Sequence, residues 1–315
     1  MKFKKFFLFL AAIVGVAAFS SCDKKEIKFD NEVVASCSIA APKGAPAISV
    51  AALANEEGSK YDFVAATNIS SELATATAKA DFVIAPINAG AKLYKLGKSN
   101  YKLAAVVTWG NLYFASQKEN FSLNDIKDNK IIFFGQNSIN ASIASYVLEQ
   151  KNVKPSEIEY VAEAADTQTT LVSDSSAIVL CAEPAISAAK LKKPNIKSIS
   201  VQELYKEISG FDGFTQAGLF VNPTAIEAKK ETVNKFIDEV SKSIEMCSSK
   251  LDYVASCAAE LKILPSVDVA KSAIPLCSVK FMKAVDAKGQ IERTANIDLS
   301  QFGGALPVED FYYQF

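Results

Sequence analysis

The chain has 315 residues, of which 50% are hydrophobic and 22% charged, and its net charge is −1. This composition predicts a folded protein of about two domains, and it excludes both a disordered chain and a basic nucleic-acid-binding protein. The sequence contains no histidine, which excludes Ser-His-Asp and Cys-His catalysis as well as imidazole-ligated metal sites.

The N-terminal segment is typical of a bacterial export signal. Three lysines precede the apolar stretch Phe6–Phe19, which is too short for an ordinary membrane-spanning helix. Two serines then lead into Cys22, an arrangement that resembles a lipoprotein lipobox, although Phe19 stands where an aliphatic residue is usual. We expect residues 1–21 to be removed, Cys22 to be lipidated and residues 22–31 to form a charged tether. An ordinary secretory signal is the alternative.

Three units of strand, polar loop and helix start follow the tether, and their predicted strands are Val33–Ala40, Tyr61–Thr67 and the apolar run Phe82–Ala85. An apolar run without polar alternation is typical of a strand buried on both faces of a sheet. The loop leaving such a strand opens onto a ligand crevice. We therefore single out Lys43 and Gly44 in the first loop and Asn88 in the third. Lys43 either meets an anionic ligand or is an ordinary solvated loop lysine, and the second interpretation is favoured. Ser70–Ala80 is predicted to be a short helix.

Two β-rich stretches interrupted by glycine are predicted to connect two lobes. In Tyr101–Ser116 the interruption falls at Thr108–Asn111, where a strand can pass from one lobe to the other. Trp109 lies at this bend, so it either fills the core or offers a face to a planar ligand. The return crossing is Gly210–Val221, which carries Gln216.

A second α/β segment lies between the crossings. In Lys130–Gln150 a strand ends in a loop that contains Asn137 and Ser138 and that precedes a helix. Side-chain amides, a hydroxyl and unpaired helix N–H groups converge there, as binding of an anion or a polar heteroatom requires, although simple N-capping accounts for the same residues. Glu183 ends another buried run beside Pro184, where it either contacts a ligand or only complements the helix dipole.

The C-terminal part is predicted to be helical. Apolar residues recur at helical spacing along one predicted helix, and they are Val233, Phe236, Ile237, Val240 and Ile244. Further short helices are predicted at Tyr253–Leu264, Ser266–Ala273 and Val279–Asp286, and the aromatic tail is expected to dock on the first lobe.

The cysteines that follow Cys22 support two interpretations. Cys37 and Cys181 lie in apolar runs and are expected to be buried. An exported location permits Cys257 to pair with Cys247 or with Cys277, but the sequence alone does not give the connectivity.

The order of these segments resembles the bacterial ABC-transporter solute-binding lipoproteins of the type II periplasmic-binding fold. Within them it is most similar to the nitrate, sulfonate, taurine and thiamine-precursor group. The resemblance is carried by the lipobox cysteine and by the stretches PKGAP, ADFVIAP, FGQNS, SSAIVLCAEP and FTQAGLFVNP. The order and spacing of these motifs are more specific than any one of them. Ser175 and Ser176 depart from the family pattern, which often has an aspartate before this apolar run.

The resemblance implies an α/β fold of two lobes, each a mixed sheet flanked by helices, with two hinge crossings. Residues 32–110 and 218–315 would form lobe one, and residues 111–217 would form lobe two. A ligand would bind between them, and the positions that match the family are Lys43, Gly44, Asn88, Trp109, Gly110, Asn111, Asn137, Ser138, Glu183 and Gln216.

The resemblance also implies an extracytoplasmic monomer that is anchored to the membrane through Cys22, delivers its ligand to an ABC permease, and needs neither a cofactor nor nucleic acid. The expected ligand is a small polar organic molecule, such as a thiamine precursor, a flavin-like heterocycle or a sulfonate. Two alternatives stay open: an enzyme on the same fold, of the pyrimidine or menaquinone pathway type, and a surface lipoprotein without a transport role.

Overall fold

The computed structural model describes residues 27–315. The predicted signal peptide at residues 1–21, the lipidation site Cys22 and the first part of the tether lie outside the described residues. Within residues 27–315, no helix combines the length and the apolar character that crossing a membrane requires.

The described residues form eleven strands: β1 (Ser38–Pro42), β2 (Lys60–Val64), β3 (Phe82–Pro86), β4 (Lys102–Thr108), β5 (Leu112–Ser116), β6 (Lys130–Phe134), β7 (Glu157–Val161), β8 (Ile178–Ala182), β9 (Lys197–Ser200), β10 (Ala217–Val221) and β11 (Val279–Lys283). They also form thirteen α-helices: α1 (Asn31–Ser36), α2 (Ala45–Ile48), α3 (Ala51–Ala54), α4 (Ile69–Glu72), α5 (Ile87–Lys95), α6 (Ile139–Gln150), α7 (Ala164–Ser173), α8 (Ala185–Lys192), α9 (Val201–Ser209), α10 (Pro223–Ser249), α11 (Leu251–Glu260), α12 (Val267–Ala273) and α13 (Lys288–Ala295). The short 3-10 turns between them are Ala66–Asn68, Thr75–Thr77, Leu123–Asp125, Ile274–Leu276, Leu299–Phe302 and Glu309–Phe311.

The first sheet is mixed and has the strand order β11-β4-β10-β3-β1-β2. β1 pairs in parallel with β2 and β3, whereas β10 runs antiparallel to both β3 and β4. In this register Leu219 of β10 lies between Ile84 of β3 and Ala105 of β4. The return crossing therefore inserts a late strand into the middle of the sheet that the early strands build.

The second sheet is also mixed, with the order β7-β6-β8-β5-β9. β6 runs parallel to β7 and β8, and β5 runs antiparallel to β8 and β9. The chain passes from the first sheet to the second between Thr108 and Leu112, and it returns before Ala217. We call each sheet with its helices a lobe, and residues 32–110 with 218–315, and 111–217, stay our proposed boundaries.

The core confirms the two strongest apolar patterns. Phe82, Val83, Ile84 and Ala85 of β3 are completely buried, because helices cover both faces of the first sheet. The apolar stripe of α10 lies against one face, where the rings of Phe236 and Phe82 stack at 4.7 Å. Burying a side chain of this size contributes about 2–3 kcal/mol to stability.

The tail docks on the first lobe, as predicted. The main-chain N–H of Tyr313 donates to the oxygen of Leu103 in β4 at 2.8 Å. The ring of Phe311 packs edge-on against Phe220 of β10 at 5.9 Å. The tail thus covers the face of the first sheet opposite α10.

Three secondary-structure predictions were wrong. Val33–Ala40 is not one strand, because the Asp30 side chain accepts hydrogen bonds from the N–H groups of Glu32 and Val33 and starts α1, which delays β1 to Ser38. Ser70–Ala80 is not one helix but breaks up around α4 and the turn Thr75–Thr77. Val279–Asp286 is not helical, because its first part pairs as β11 with the open edge of β4.

The cysteines within residues 27–315 are all buried and unpaired. Neither of the two pairings that the sequence left open is therefore formed. Cys247 instead packs its thiol against main-chain oxygens of Ile48 and Ser243.

Candidate functional site

A cavity of about 350 Å³ lies where the two sheets meet. The carboxyl ends of β1 and β3 and the segment after β2 form one side of it, and the loop after β6 forms the other. Pro42, Pro46 and Pro86 supply much of its apolar wall, together with Ile69 and Ile139. The cavity therefore has the position that the strand ends predict.

Six of the ten candidate ligand-binding residues line this cavity: Lys43, Asn88, Asn111, Asn137, Ser138 and Gln216. They come from both sheets and from both crossings, and they are up to 173 positions apart in the sequence. Asn140 and Gln301 also line the cavity but were not predicted. Asn140 follows the FGQNS loop in the first turn of α6, so the helical period of that turn could have indicated it, whereas no local pattern marks Gln301.

The loop before α6 owes its shape to two residues in the left-handed backbone region, Gly135 (φ 67°) and Asn137 (φ 58°). Asparagine tolerates this conformation better than most side chains. Ser138 then caps the helix, since its Oγ accepts a hydrogen bond from the N–H of Ala141 at 3.3 Å. The capping role that the sequence allowed for Ser138 is thus present, and the same residue lines the cavity.

Amide side chains connect the two crossings to α6. Asn111 donates from Nδ2 to the main-chain oxygen of Glu183 (3.0 Å), which leaves its Oδ1 to accept from Nε2 of Gln216 (2.9 Å). The same Nε2 lies 3.3 Å from Oδ1 of Asn140. Because the Glu183 oxygen can only accept, it must face the NH2 end of the Asn111 amide. The orientations of the Gln216 and Asn140 amides then follow from that of Asn111.

Trp109 and Gly110 do not line the cavity. Trp109 is only 3% exposed, and its indole N–H donates to the main-chain oxygen of Lys280 at 2.9 Å, which ties the first crossing to β11. Gly110 has φ 94°, and a Cβ there would lie 2.7 Å from the ring of Phe214. Both residues therefore shape the bend at which the chain changes sheets.

Gly44 and Glu183 also lie beside the cavity without lining it. Gly44 has φ 100° and ψ −154°, a conformation essentially restricted to glycine, and it places Lys43 at the cavity while α2 begins behind it. Glu183 acts on the site through its main chain, which exchanges two hydrogen bonds with Asn111.

The side chain of Glu183 is buried, and its pKa is raised above the ordinary value for glutamate. Its carboxyl oxygens accept from the hydroxyl and the N–H of Ser187 at 3.0 and 3.3 Å. Burial raises the pKa of Glu183 to about 7, and the hydrogen bonds from Ser187 offset only part of that effect. This carboxyl group therefore changes charge near neutral pH at the junction of the lobes.

The charge and chemistry of the lining favour an anionic ligand group. Lys43 is the only ionisable residue among those lining the cavity, which otherwise offers amides and one hydroxyl. The first turns of α5 and α6 also reach the cavity, and helix N-termini attract negative charge. No aromatic ring lines it, and no group of three or more potential metal ligands occurs in residues 27–315.

No protein-family model and no curated protein sequence matches the chain. Solved structures do match: an ABC transporter protein from Parabacteroides distasonis has a TM-score of 0.74 and 19% identity, over 88% of this chain and 98% of that one. The periplasmic aliphatic sulphonate binding protein SsuA from Escherichia coli has a TM-score of 0.67 and 14% identity, over 88% and 92%. The zinc-bound ligand-binding component of an ABC-type import system from Staphylococcus aureus has a TM-score of 0.65 and 14% identity, over 88% and 96%.

These likenesses confirm the predicted fold. The chain has the two-lobed periplasmic-binding-protein fold, with two mixed sheets flanked by helices. Its structural neighbours include an ABC transporter protein, a periplasmic sulphonate binding protein and a ligand-binding component of an ABC-type import system. At identities of 19% and below, the comparison supports the fold alone. The ligand therefore has to be inferred from the cavity itself.

Proposed function

We propose that this protein is the extracytoplasmic solute-binding component of an ABC importer, and that it captures a small molecule with an anionic head between its lobes. One observation carries the proposal. The cavity between the two sheets combines Lys43, several amides and two helix starts with a complete lack of carboxylates in its lining. Such a lining attracts an anion and rejects a cation.

The same lining favours a sulfonate-like ligand over the other two candidates, a thiamine precursor and a flavin-like heterocycle. Planar heterocycles gain much of their affinity from aromatic rings, and none lines this cavity. A volume of about 350 Å³ suits a small ligand.

We further propose that residues 1–21 direct export, that a lipid on Cys22 anchors the protein, and that residues 22–31 tether it. The basic start, the short apolar stretch and the cysteine after two serines support this arrangement. The lobes would close as a monomer on the ligand about the two crossings, and the closed form would dock on the permease.

An enzyme on this fold is the less well supported alternative. General acid–base catalysis usually needs two titratable groups near the substrate, and Lys43 is the only one lining the cavity. The hydroxyl of Ser138 already serves as a helix cap, and no histidine or carboxylate from residues 27–315 lines the cavity to activate it. No observation specifically favours a surface lipoprotein without a transport role.

The proposal is tested by thermal shift with alkanesulfonates, nitrate, thiamine precursors and flavins, followed by calorimetry on each compound that stabilises the protein. We expect at least one sulfonate to bind without being converted. Replacing Lys43 by methionine should weaken that binding about tenfold or more, because a charge-assisted contact is lost.

Lys98→Met provides the matched control, because Lys98 is exposed and does not line the cavity. Binding by the control should equal that of the unchanged protein. Preferential binding of a heterocycle would contradict the ligand class, and turnover of a bound compound would favour the enzyme.

A further inference from the structure

Gln301 reaches the cavity from the C-terminal part of the chain. It belongs to the turn Leu299–Phe302, and its Nε2 donates a hydrogen bond of 2.9 Å to the main-chain oxygen of Asn137. Ser142 of α6 donates to the carboxylate of Asp298 at 2.7 Å, so the same segment contacts the second lobe twice. Gln301 is therefore held in place before a ligand binds.

The contact with Asn137 also fixes the direction of the Gln301 amide. A main-chain oxygen can only accept a hydrogen bond, so it must face the NH2 end of the amide. Turning the amide over would bring two oxygens together and cost that hydrogen bond. The Oε1 end is left open, because no group in residues 27–315 donates a hydrogen bond to it.

The other amides of the cavity differ from Gln301 in this respect. Asn111 uses both ends of its amide within the protein, and Oε1 of Gln216 is buried, with no hydrogen-bond partner in residues 27–315. The side chains of Asn88 and Asn137 have no hydrogen bond to any described residue, so they can turn either end toward a ligand. Gln301 thus presents an acceptor whose direction is set by the protein.

We propose that Oε1 of Gln301 accepts a hydrogen bond from the ligand, so that the site selects small anions that also carry an O–H or N–H group. This inference rests on the proposed function, because the anionic end of the ligand is taken to lie at Lys43. A ligand without a donor leaves the Gln301 oxygen desolvated and unpaired, which costs affinity. Gln301 is then a specificity-determining residue.

The test uses three sulfonates that differ at one position: 2-hydroxyethanesulfonate, 2-aminoethanesulfonate and 1-propanesulfonate, in which a methyl group replaces the donor. Calorimetry on the full chain gives a dissociation constant for each. We expect the hydroxyl and amino compounds to bind about fivefold tighter or more than propanesulfonate, which is the effect of one hydrogen bond. In Gln301→Leu this ratio should fall to about one.

Ser142→Ala tests whether Gln301 acts by contacting the ligand or only by holding its segment in place. The variant removes the neighbouring contact with Asp298 and leaves the Gln301 amide unchanged. We expect it to weaken binding of all three sulfonates alike and to preserve their ratio. Gln301→Met serves as a second variant, and a thermal melt of each variant shows that it is folded.

Two results would overturn the role of Gln301 while leaving the proposed function intact. One is equal affinity of the unchanged protein for the three compounds, and the other is a ratio that survives Gln301→Leu. If none of the three sulfonates binds, the proposed sulfonate-binding function fails first, and the role of Gln301 fails with it.

Discussion

Glu183 shows how one residue can influence a binding site through its main chain while its side chain has a separate effect on stability. Its N–H and its oxygen hold Asn111, so the direction of the amides in the cavity depends on the backbone at position 183. Its carboxyl group is buried against Ser187, away from the cavity lining. The sequence placed Glu183 correctly at a strand end but could not separate these two roles.

The pKa of Glu183 predicts how stability depends on pH. Because burial raises this pKa from 4.5 to about 7, the folded protein holds the proton more tightly than the unfolded chain does. This contribution to the free energy of unfolding is fully present below pH 4.5 and is lost as the pH rises through about 7. Between pH 5 and pH 8 it should fall by about 2 kcal/mol.

Urea denaturation of the unchanged protein and of Glu183→Gln at both pH values checks this expectation. The difference in stability between the two proteins isolates Glu183 from the other carboxylates. This difference in stability should change by about 2 kcal/mol between pH 5 and pH 8. An equal difference at both pH values would show that the pKa of Glu183 is not raised.

At the scale of elements, the start of α6 combines a helix cap with part of the cavity lining. Ser138 caps the helix, while Asn137, Ser138 and Asn140 line the cavity. From the sequence, capping and ligand contact both explained Asn137 and Ser138. The structure shows the cap at Ser138 and places both residues at the cavity, which lies where the helix exposes its N–H groups.

Ser138→Asp separates these two roles. Aspartate is as good an N-cap as serine, so the free energy of unfolding should change by less than about 0.5 kcal/mol. The added carboxylate faces the cavity that we propose binds an anion, so the affinity for a sulfonate should fall about a hundredfold. Urea denaturation and calorimetry measure the two effects.

Ser138→Ala is the complementary variant. It should cost about 1 kcal/mol of stability through the lost cap and should weaken ligand binding far less than the aspartate does. An aspartate variant that binds sulfonates as well as the unchanged protein would argue against an anionic ligand group at α6.

Elements with strong local patterns were predictable, and those that depend on distant partners were not. The run Phe82–Ala85 identified β3, because a strand buried on both faces is apolar throughout. The break at Gly110 identified the first crossing, because a sharp bend of the backbone favours glycine. β11 became a strand only because β4 offers it an edge more than 170 positions away. Gln301 lines the cavity for the same kind of reason, since its turn packs on α5 and α13 and meets the loop before α6.

At the scale of the whole molecule, the lobes are held by contacts outside the crossings as well. Gln301 contacts the loop before α6, Asp298 contacts α6 itself, and the hydroxyl of Tyr113 in β5 donates to the main-chain oxygen of Leu276 (2.9 Å). We expect opening of the cavity to require the contacts of Gln301 and Asp298 to break, because Gln301 lines the cavity and Asp298 belongs to the same segment.

A disulfide between positions 142 and 298 tests this expectation, since Ser142 and Asp298 are in hydrogen-bond contact. In the variant that combines Ser142→Cys with Asp298→Cys, oxidation should slow the release of a bound sulfonate at least about tenfold, and reduction should restore it. Stopped-flow release kinetics under both conditions provide the measurement. Each single variant serves as a control, and equal release rates in the oxidised and reduced double variant would mean that this edge does not open.

The buried thiols allow local unfolding to be measured separately in each lobe. Cys181 belongs to the core of the second sheet and Cys37 to that of the first, and burial raises the pKa of each to about 11. Iodoacetamide attacks thiolates, so in the native protein neither cysteine reacts until its surroundings open. Mass spectrometry of the peptides around the two cysteines would then compare the extent of local opening in the two halves of the molecule, without any substitution.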